Sequence, residues 1–196
     1  MLKRIFDILF SFIILFIFLP FGIIIALFIL FSSRGGVFYT QERIGKNGKP
    51  FGLFKFRTMR KDADKKGKLT VGMRDPRITH IGRFLRKYKL DEFPQFINVF
   101  LGQMSVVGPR PEVREYTSLY NEEQQKILKV KPGITDYASI EYYKENELLG
   151  ESDNPRETYI HEIMPAKIEL NKKYIANPTL GHDLKLIWMT FRKVIS

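Results

Sequence analysis

The stretch ILFSFIILFIFLPFGIIIALFILFSS, from Ile8 to Ser33, contains no charged residue. A bilayer crossing takes about 20 apolar residues, so this stretch is long enough to span. A secretory signal peptide has a shorter apolar core of about 7–15 residues and then a cleavage site of small residues, and no such site precedes Arg34. A soluble core helix is seldom apolar on every face. The sequence therefore predicts a membrane segment.

Pro20 lies near the middle of this segment and removes one backbone donor, so we expect the helix to break there. At about 1.5 Å per residue, the halves 8–19 and 20–33 rise about 18 and 21 Å, and neither covers a hydrocarbon core of about 30 Å. Basic residues, which favour the cytoplasmic side, flank both ends: Lys3, Arg4, Arg34, Arg43, Lys46 and Lys49. A re-entrant hairpin over residues 1–33 satisfies both flanks, whereas a kinked spanning helix stays the alternative. Either places residues 34–196 on the cytoplasmic side, against the membrane.

Composition narrows the partners and the chemistry. The chain has 196 residues, enough for one domain with a core, and a net charge of +11, which implies an anionic partner. Nucleic acid, anionic lipid headgroups and phosphorylated small molecules are the candidates. Cysteine is absent, which excludes disulfides, thiol catalysis and cysteine-bound zinc. His80, His161 and His182 are scattered and predict no histidine metal site.

Residues 34–196 are predicted to form one mixed α/β domain, mostly helical with a small sheet. Aromatic-rich stretches favour strands at 37–40, 50–58 and 135–143. Helices are predicted at 81–88, 94–101, 112–129, 155–174 and 183–194, and a charged loop at 61–74. In the last helix an apolar stripe of Leu184, Ile187, Trp188 and Phe191 fits either core packing or a position in the membrane interface.

Asp91 and Glu92 stand side by side in the stretch KLDEFPQFINVFLGQMSVVGPRPE, from Lys89 to Glu112. Neighbouring helical residues point about 100° apart, so separate roles are expected rather than a shared proton. If a helix begins around residues 91–94, both carboxylates lie at its positive end, which favours ionisation and attracts phosphate. An ionised carboxylate can attack phosphorus or bind Mg²⁺. Simple helix capping is the structural alternative.

Arg110 is fixed between Pro109 and Pro111, and arginine binds phosphate bidentately. Further cations lie upstream, at Lys55, Arg57, Arg83 and Arg86. With the acidic pair they suggest a diphosphate pocket. The sequence has neither a P-loop nor a glycine-rich dinucleotide fingerprint, so arginines and a metal ion are expected to hold the phosphates.

Seven short motifs occur in order along the chain: KRIFD at 3–7, FKFRTM at 54–59, DPRIT at 75–79, GRFLR at 82–86, LDEFPQ at 90–95, MSVVGPRP at 104–111 and KPGIT at 131–135. Together they closely resemble the bacterial sugar transferases, also called monotopic phosphoglycosyltransferases. The length resembles that of the minimal members, which lack the additional transmembrane helices of larger ones.

The resemblance implies transfer of a sugar 1-phosphate from a UDP-sugar to polyprenyl (undecaprenyl) phosphate, with Mg²⁺ and release of UMP. Asp91 matches the family nucleophile, which forms a covalent phosphosugar intermediate, and Glu92 matches its partner at the metal or the lipid phosphate. Arg110 and Arg86 match phosphate-binding arginines. Lys55 matches a basic residue of the active site. Pro20 matches the residue that breaks the membrane helix, which favours the re-entrant form.

One position departs from the family pattern. Many relatives have glycine where this chain has Asp136, and an aspartate there is expected to cost backbone freedom and to alter the nearby pocket. The sugar therefore stays open. So does the oligomeric state, a homodimer through the membrane face included. The competing function is a membrane-anchored basic protein that binds acidic lipid or nucleic acid without catalysis, whereas the resemblance implies no nucleic acid partner.

Overall fold

The computed structural model describes residues 1–32, 35–61, 63 and 75–195. The helices are α1 Leu2–Ser32, α2 His80–Lys87, α3 Gln95–Leu101, α4 Arg114–Thr117, α5 Glu122–Gln125, α6 Tyr137–Glu141, α7 Glu145–Glu151, α8 Pro155–Thr158, α9 Met164–Ala176 and α10 Leu180–Ile195. The strands are β1 Phe38–Ile44, β2 Pro50–Phe56, β3 Ser105–Val107 and β4 Gly133–Thr135. The predicted mixed fold, mostly helical with little sheet, is confirmed.

Helix α1 carries the apolar segment, and Pro20 lies inside it. Within the described ranges it is the one helix long and apolar enough to cross or anchor in a bilayer. Most of its large apolar side chains are exposed, Phe16 and Phe31 among them, as expected of a surface that meets lipid. The break at Pro20 and the hairpin stay predictions, and Ser33 lies outside the described residues.

Both halves of α1 pack on the rest of the chain. In the first half, the Asp7 carboxylate accepts hydrogen bonds from Ser105 Oγ and the backbone N–H of Val106, each at 3.0 Å. In the second half, Ile29 is fully buried in a cluster with Phe56 and Leu85. The helix therefore lies along the domain rather than leading away from it.

The basic N-terminal flank is also tied to the domain. Arg4 donates to the backbone carbonyls of Val99 and Phe100 at 2.6 and 2.7 Å, near the end of α3, where a cation is favourable. Lys3 Nζ lies 2.5 Å from Asp183 Oδ2 at the start of α10. Lys3 and Arg4, which were expected only to orient the membrane segment, therefore also fix the position of α1 on the domain.

The β3–β4 pair positions the proline-flanked arginine. The strands run parallel, and Gly108 and Gly133 meet beside them so closely that a Cβ on Gly133 would lie 2.1 Å from the Gly108 nitrogen. Gly133 also donates a backbone hydrogen bond to the carbonyl of Pro109 at 2.9 Å. Only glycine fits at this contact, which fixes the chain immediately before Arg110.

Two predicted elements are wrong. The strand predicted at 135–143 ends at Thr135, because the Asp136 side chain accepts from the backbone N–H of Ser139 and begins α6. The single surface helix predicted at 112–129 is split into α4, α5 and a 3₁₀ turn, because Asn121 and Gln124 form a capping box that starts a new helix.

The backbone cost expected at Asp136 is also wrong. Its φ of −159° and ψ of −179° are extended values that any residue adopts, so the position requires no glycine.

The other helices match their predictions within a few residues. The 155–174 segment includes a π-helical stretch, Tyr159–Ile163, between α8 and α9. In α10 the core-packing alternative for the apolar stripe is wrong for most of its members, because Leu184, Trp188 and Phe191 are exposed and Leu186 is buried instead. The interfacial alternative stays a prediction. The loop predicted at 61–74 lies almost entirely outside the described residues.

Candidate active site

Asp91 and Glu92 lie in a short 3₁₀ turn, Leu90–Glu92, one turn before α3. Lys89 opens this turn with a left-handed backbone, φ 55°, which is uncommon for a residue with a side chain. Neither carboxylate caps α3, whose N-cap is Pro94 without a side-chain bond. The capping alternative is therefore wrong. Helix α3 begins at Gln95, directly after the predicted start region, and the acidic pair lies just before its N-terminal end.

Glu92 forms an ion pair with Arg110. Arg110 Nη1 donates to Glu92 Oε2 at 3.0 Å, and Nη2 donates to Oε1, a bidentate contact. Lys55 Nζ lies 3.7 Å from Oε1. Burial alone would raise the pKa of Glu92, but the charges of Arg110 and Lys55 outweigh it and lower that pKa. Glu92 is therefore ionised and held in place by two cations.

Asp91 has a different environment. Its side chain is buried, and no residue in the described part of the chain donates a hydrogen bond to its carboxylate. Burial raises the pKa of Asp91, and the nearby charge of Glu92 raises it further, against Lys55 and Arg86. Asp91 is thus a more basic carboxylate without a hydrogen-bond donor among the described residues. The two acids have different environments, and their separate roles stay a prediction.

Three of the four predicted upstream cations line the cavity, and two of those three lie close to the acidic pair. Lys55 and Arg86 surround the acidic pair, and burial lowers the pKa of Lys55 to about 8. Arg86 Nε donates to Thr58 Oγ1 at 2.9 Å. Arg57 lies at the same cavity, but its guanidinium donates to the backbone carbonyls of Gly36 and Phe38.

Arg83, the remaining upstream cation, contacts the His80 ring at 2.8 Å on the exposed side of α2 and does not line the cavity.

A cavity of about 530 Å³ opens over Asp91. One wall is apolar and comes from α1, α3 and α10: Phe10, Ile14, Phe96, Ile187, Phe191 and Val194. Another wall is polar: Arg43, Glu112, Tyr142, Tyr143, Glu145, Tyr159 and Lys167. The arrangement offers a buried carboxylate between a surface suited to hydrocarbon and a surface suited to hydroxyl and phosphate groups.

A family model described as bacterial sugar transferase matches residues 1–196. The chain belongs to the bacterial sugar transferase family.

The chain is similar to proteins whose names refer to undecaprenyl-phosphate sugar phosphate transfer or to exopolysaccharide production. It is 38% identical over 196 residues to the UDP-glucose:undecaprenyl-phosphate glucose-1-phosphate transferase of Escherichia coli, covering 98% of this chain and 40% of that protein. It is 38% identical over 196 residues to the exopolysaccharide production protein PSS of Rhizobium leguminosarum bv. phaseoli, covering 96% of this chain and 92% of that protein.

It is also 32% identical over 198 residues to the UDP-N-acetylgalactosamine-undecaprenyl-phosphate N-acetylgalactosaminephosphotransferase of Aeromonas hydrophila, covering 100% and 44%. The chain thus spans less than half of the Escherichia coli and Aeromonas proteins.

No pattern in the sequence predicted the polar wall. Lys167 is buried in α9, where its Nζ lies 2.9 Å from Glu145 Oε2 and 3.6 Å from Glu112 Oε1. The Tyr159 hydroxyl donates to Glu112 Oε1. The one available signal was the position of Glu112 directly after the proline-flanked arginine. No local spacing connects Glu112 with Lys167.

The acidic pair offers oxygen ligands that suit Mg²⁺. No group of three or more acidic or histidine side chains suited to a metal occurs within the described ranges. The Asp91 oxygens accept no hydrogen bond from the described residues, whereas both Glu92 oxygens contact Arg110. This donor set suits an ion that takes one carboxylate and completes its shell with phosphate oxygens and water, as Mg²⁺ does. Each Glu92 oxygen accepts one hydrogen bond from Arg110 and keeps a further lone pair, so Glu92 could join such a shell beside Asp91.

Proposed function

We propose that this chain transfers a sugar 1-phosphate from a UDP-sugar to a polyprenyl phosphate such as undecaprenyl phosphate, through a covalent intermediate on Asp91. The observation that carries the proposal is the buried Asp91 carboxylate, which accepts no hydrogen bond from the described residues and has cations around it at the cavity. Family membership and the names of the relatives support the substrate classes.

In the first half-reaction, an Asp91 oxygen attacks the sugar-bearing phosphorus of the donor. The bond from that phosphorus to the bridging oxygen breaks, and UMP leaves with the bonding electrons. The raised pKa of Asp91, caused first by burial, makes this oxygen a stronger nucleophile than an exposed aspartate once it is deprotonated. The positive charges of Lys55, Arg86 and Arg110 stabilise the charge that develops on the phosphate oxygens.

Mg²⁺ fits this site through Asp91 and the donor phosphates, and when bound it would neutralise diphosphate oxygens and assist departure of UMP. The cations of the chain itself perform the positioning. Arg110 offers a planar fork whose orientation is fixed by Glu92 and by the rigid Pro109–Pro111 backbone. Lys55 supplies a point charge that is largely retained at neutral pH, since its pKa is about 8.

In the second half-reaction, an oxygen of polyprenyl phosphate attacks the same phosphorus, and the bond to Asp91 breaks. The carboxylate is regenerated, and the product is a polyprenyl diphosphate sugar. The apolar wall contributed by α1 and α10 suits the hydrocarbon of such an acceptor. In this proposal α1 anchors the domain at the cytoplasmic face of the inner membrane, and the exposed apolar side chains of α1 support that anchoring.

The test begins with UMP release from purified protein given UDP-glucose, UDP-N-acetylglucosamine, UDP-galactose or UDP-N-acetylgalactosamine. Each donor is assayed with and without undecaprenyl phosphate and with Mg²⁺ or EDTA. We expect steady UMP release with acceptor, and without it a single stoichiometric burst accompanied by a phosphosugar mass adduct on the peptide that contains Asp91.

Asp91→Asn should abolish both the adduct and turnover, while Asp153→Asn, at an exposed aspartate, should match wild type. Wild-type turnover by Asp91→Asn would exclude the covalent route. Salt-sensitive binding of lipid vesicles or nucleic acid without any UMP release would favour the non-catalytic alternative.

A further inference from the structure

The polar wall holds an ionic cluster that the chemistry at Asp91 does not use. Its members come from separate parts of the chain: Glu112 before α4, Glu145 at the start of α7 and Lys167 in α9. Lys167 Nζ donates to Glu145 Oε2 at 2.9 Å and lies 3.5 Å from the Tyr159 hydroxyl. A buried ionic cluster is weak evidence for stability, since well-packed apolar residues often replace one without loss. Ligand binding is therefore the better explanation for a cluster that faces the cavity.

Glu145 is the member with an unused acceptor. Its Oε2 is paired with Lys167, whereas no contact within the described ranges reaches Oε1. Its side chain is 26% exposed, against 9% for Lys167, so the carboxylate is open at the cavity while its partner is enclosed. The ion pair thus fixes a carboxylate that presents one free oxygen to the cavity.

The cluster is continuous with the proposed phosphate site. Arg110 pairs with Glu92 on one side, and the negative charge of Glu145 acts on it from the other, contributing after Glu92 to the raised pKa of Arg110. A diphosphate that binds between Asp91 and Arg110 therefore has one end beside Glu145. The groups there include phenols and an amide, from Tyr142, Tyr143 and Asn146.

The chemistry of this wall selects the kind of group that it binds. Glu145 Oε1, like any carboxylate oxygen, only accepts hydrogen bonds, so its ligand must be a hydrogen-bond donor and not a second carboxylate or phosphate oxygen. An apolar ligand would remove water from the Glu145 carboxylate without offering it a hydrogen bond, which is costly. A ring with several hydroxyl groups satisfies both constraints, because each hydroxyl donates to a carboxylate and its carbon face can pack on a tyrosine ring.

We propose that Glu145 Oε1, held in place by Lys167, accepts a hydrogen bond from a ring hydroxyl of the bound UDP-sugar and thereby selects the donor. The inference rests on the proposed function and adds a binding residue to it. Two rings of the donor carry such hydroxyls, the transferred sugar and the ribose, and the experiment separates them.

The experiment uses the full chain in detergent or nanodiscs and the best donor of the UMP-release panel. Glu145→Ala should raise the KM for that donor about tenfold, the loss expected for a hydrogen bond to a charged group. The matched control is Glu147→Ala on the same helix, where the side chain is 55% exposed and pairs with Lys144 at 3.6 Å. It should leave KM unchanged.

Donor analogues that each lack one sugar hydroxyl identify the contact. Wild type should lose about tenfold in kcat/KM on the analogue that lacks the bonded hydroxyl, and Glu145→Ala should lose nothing further on that analogue. A ribose contact would instead show in the inhibition constants of UMP, 2′-deoxy-UMP and 3′-deoxy-UMP. If Glu145→Ala only lowers the stability of the protein, it should still lose the same factor in kcat/KM on each analogue as wild type does. The comparison therefore holds even if the melting temperature changes.

The proposal is overturned if Glu145→Ala keeps the wild-type penalty for every sugar and ribose hydroxyl, whatever happens to KM or kcat. Failure of the proposed function looks different, because wild type itself would then release no UMP from any donor.

Discussion

The backbone N–H of Arg110 donates a hydrogen bond to the carboxylate of Asp136, with 3.1 Å between the nitrogen and Oδ2. The other oxygen, Oδ1, accepts from the backbone N–H of Ser139 at 2.6 Å and caps α6. Asp136 is completely buried. One side chain therefore ties the proline-flanked arginine to a helix that lines the cavity.

Replacing Asp136 by alanine should destabilise the protein and move Arg110. Two partly buried backbone donors would lose their acceptor, which costs about 1–3 kcal/mol in the free energy of unfolding. Asp136→Asn keeps one oxygen acceptor and should lose less, and Asp153→Ala, at an exposed position, should lose nothing. Thermal unfolding and kcat/KM for the UDP-sugar check this. An unchanged kcat/KM in a measurably destabilised Asp136→Ala protein would assign Asp136 to folding alone.

The alkaline limb of kcat/KM should have its midpoint near pH 8. Burial lowers the pKa of Lys55 to about 8, so its positive charge is present below that pH and is lost above it. Lys55→Arg keeps a charged group at every pH tested and should move the limb upward. The measurement is the pH profile of UMP release at low donor concentration. A limb that stays near pH 8 in Lys55→Arg would assign it to another group.

Removing one partner of the Glu92–Arg110 ion pair should destabilise the protein. Glu92→Gln or Arg110→Met leaves a largely enclosed charge without its bidentate partner, at a cost of about 3 kcal/mol each. The double variant should cost clearly less than the sum, since neither charge remains. Denaturant unfolding of the single and double variants checks this. The exposed pair Lys126–Glu123 provides the control and should leave the unfolding midpoint unchanged.

Sequence patterns predicted the parts of the site that lie in short motifs. Asp91, Glu92 and Arg110 were selected by local spacing, and the structure brings Glu92 and Arg110 into contact across 18 positions of the chain. The cluster of Glu112, Glu145 and Lys167 could not be predicted in that way. None of these residues lies in a motif or spacing that predicts a contact with the others. They meet only because α7 and α9 pack on the loop before α4.

The errors in secondary structure have a common cause. The strand expected at 135–143 and the long helix expected at 112–129 were read from apolar and charged composition. Side-chain caps at Asp136 and Asn121 begin new helices there instead. In α10, helical spacing correctly predicted the helix but not its buried face. Leu186 is the buried residue, in a core cluster that Phe6 and Phe10 of α1 pack against. Spacing along α10 alone does not show which face meets that cluster.

Labelling of single cysteines should place both ends of α1 on the cytoplasmic side. The two halves of α1 pack on one domain, through Asp7 and Ile29, and a helix that left the domain across a bilayer would lose one set of these contacts. The chain contains no cysteine, so Leu2→Cys and Lys49→Cys each introduce one exposed thiol. A membrane-impermeant maleimide should modify both in inside-out vesicles and neither in intact spheroplasts.

Modification of Leu2→Cys from the periplasmic side, with Lys49→Cys protected, would instead show a spanning helix. Pro20→Ala in each background restores the missing backbone donor and separates two causes of the topology. If the proline breaks the helix, the Pro20→Ala protein should gain a population with Leu2→Cys exposed to the periplasm. If the packing of Asp7 and Ile29 alone holds α1 to the domain, labelling should stay on one side in both backgrounds.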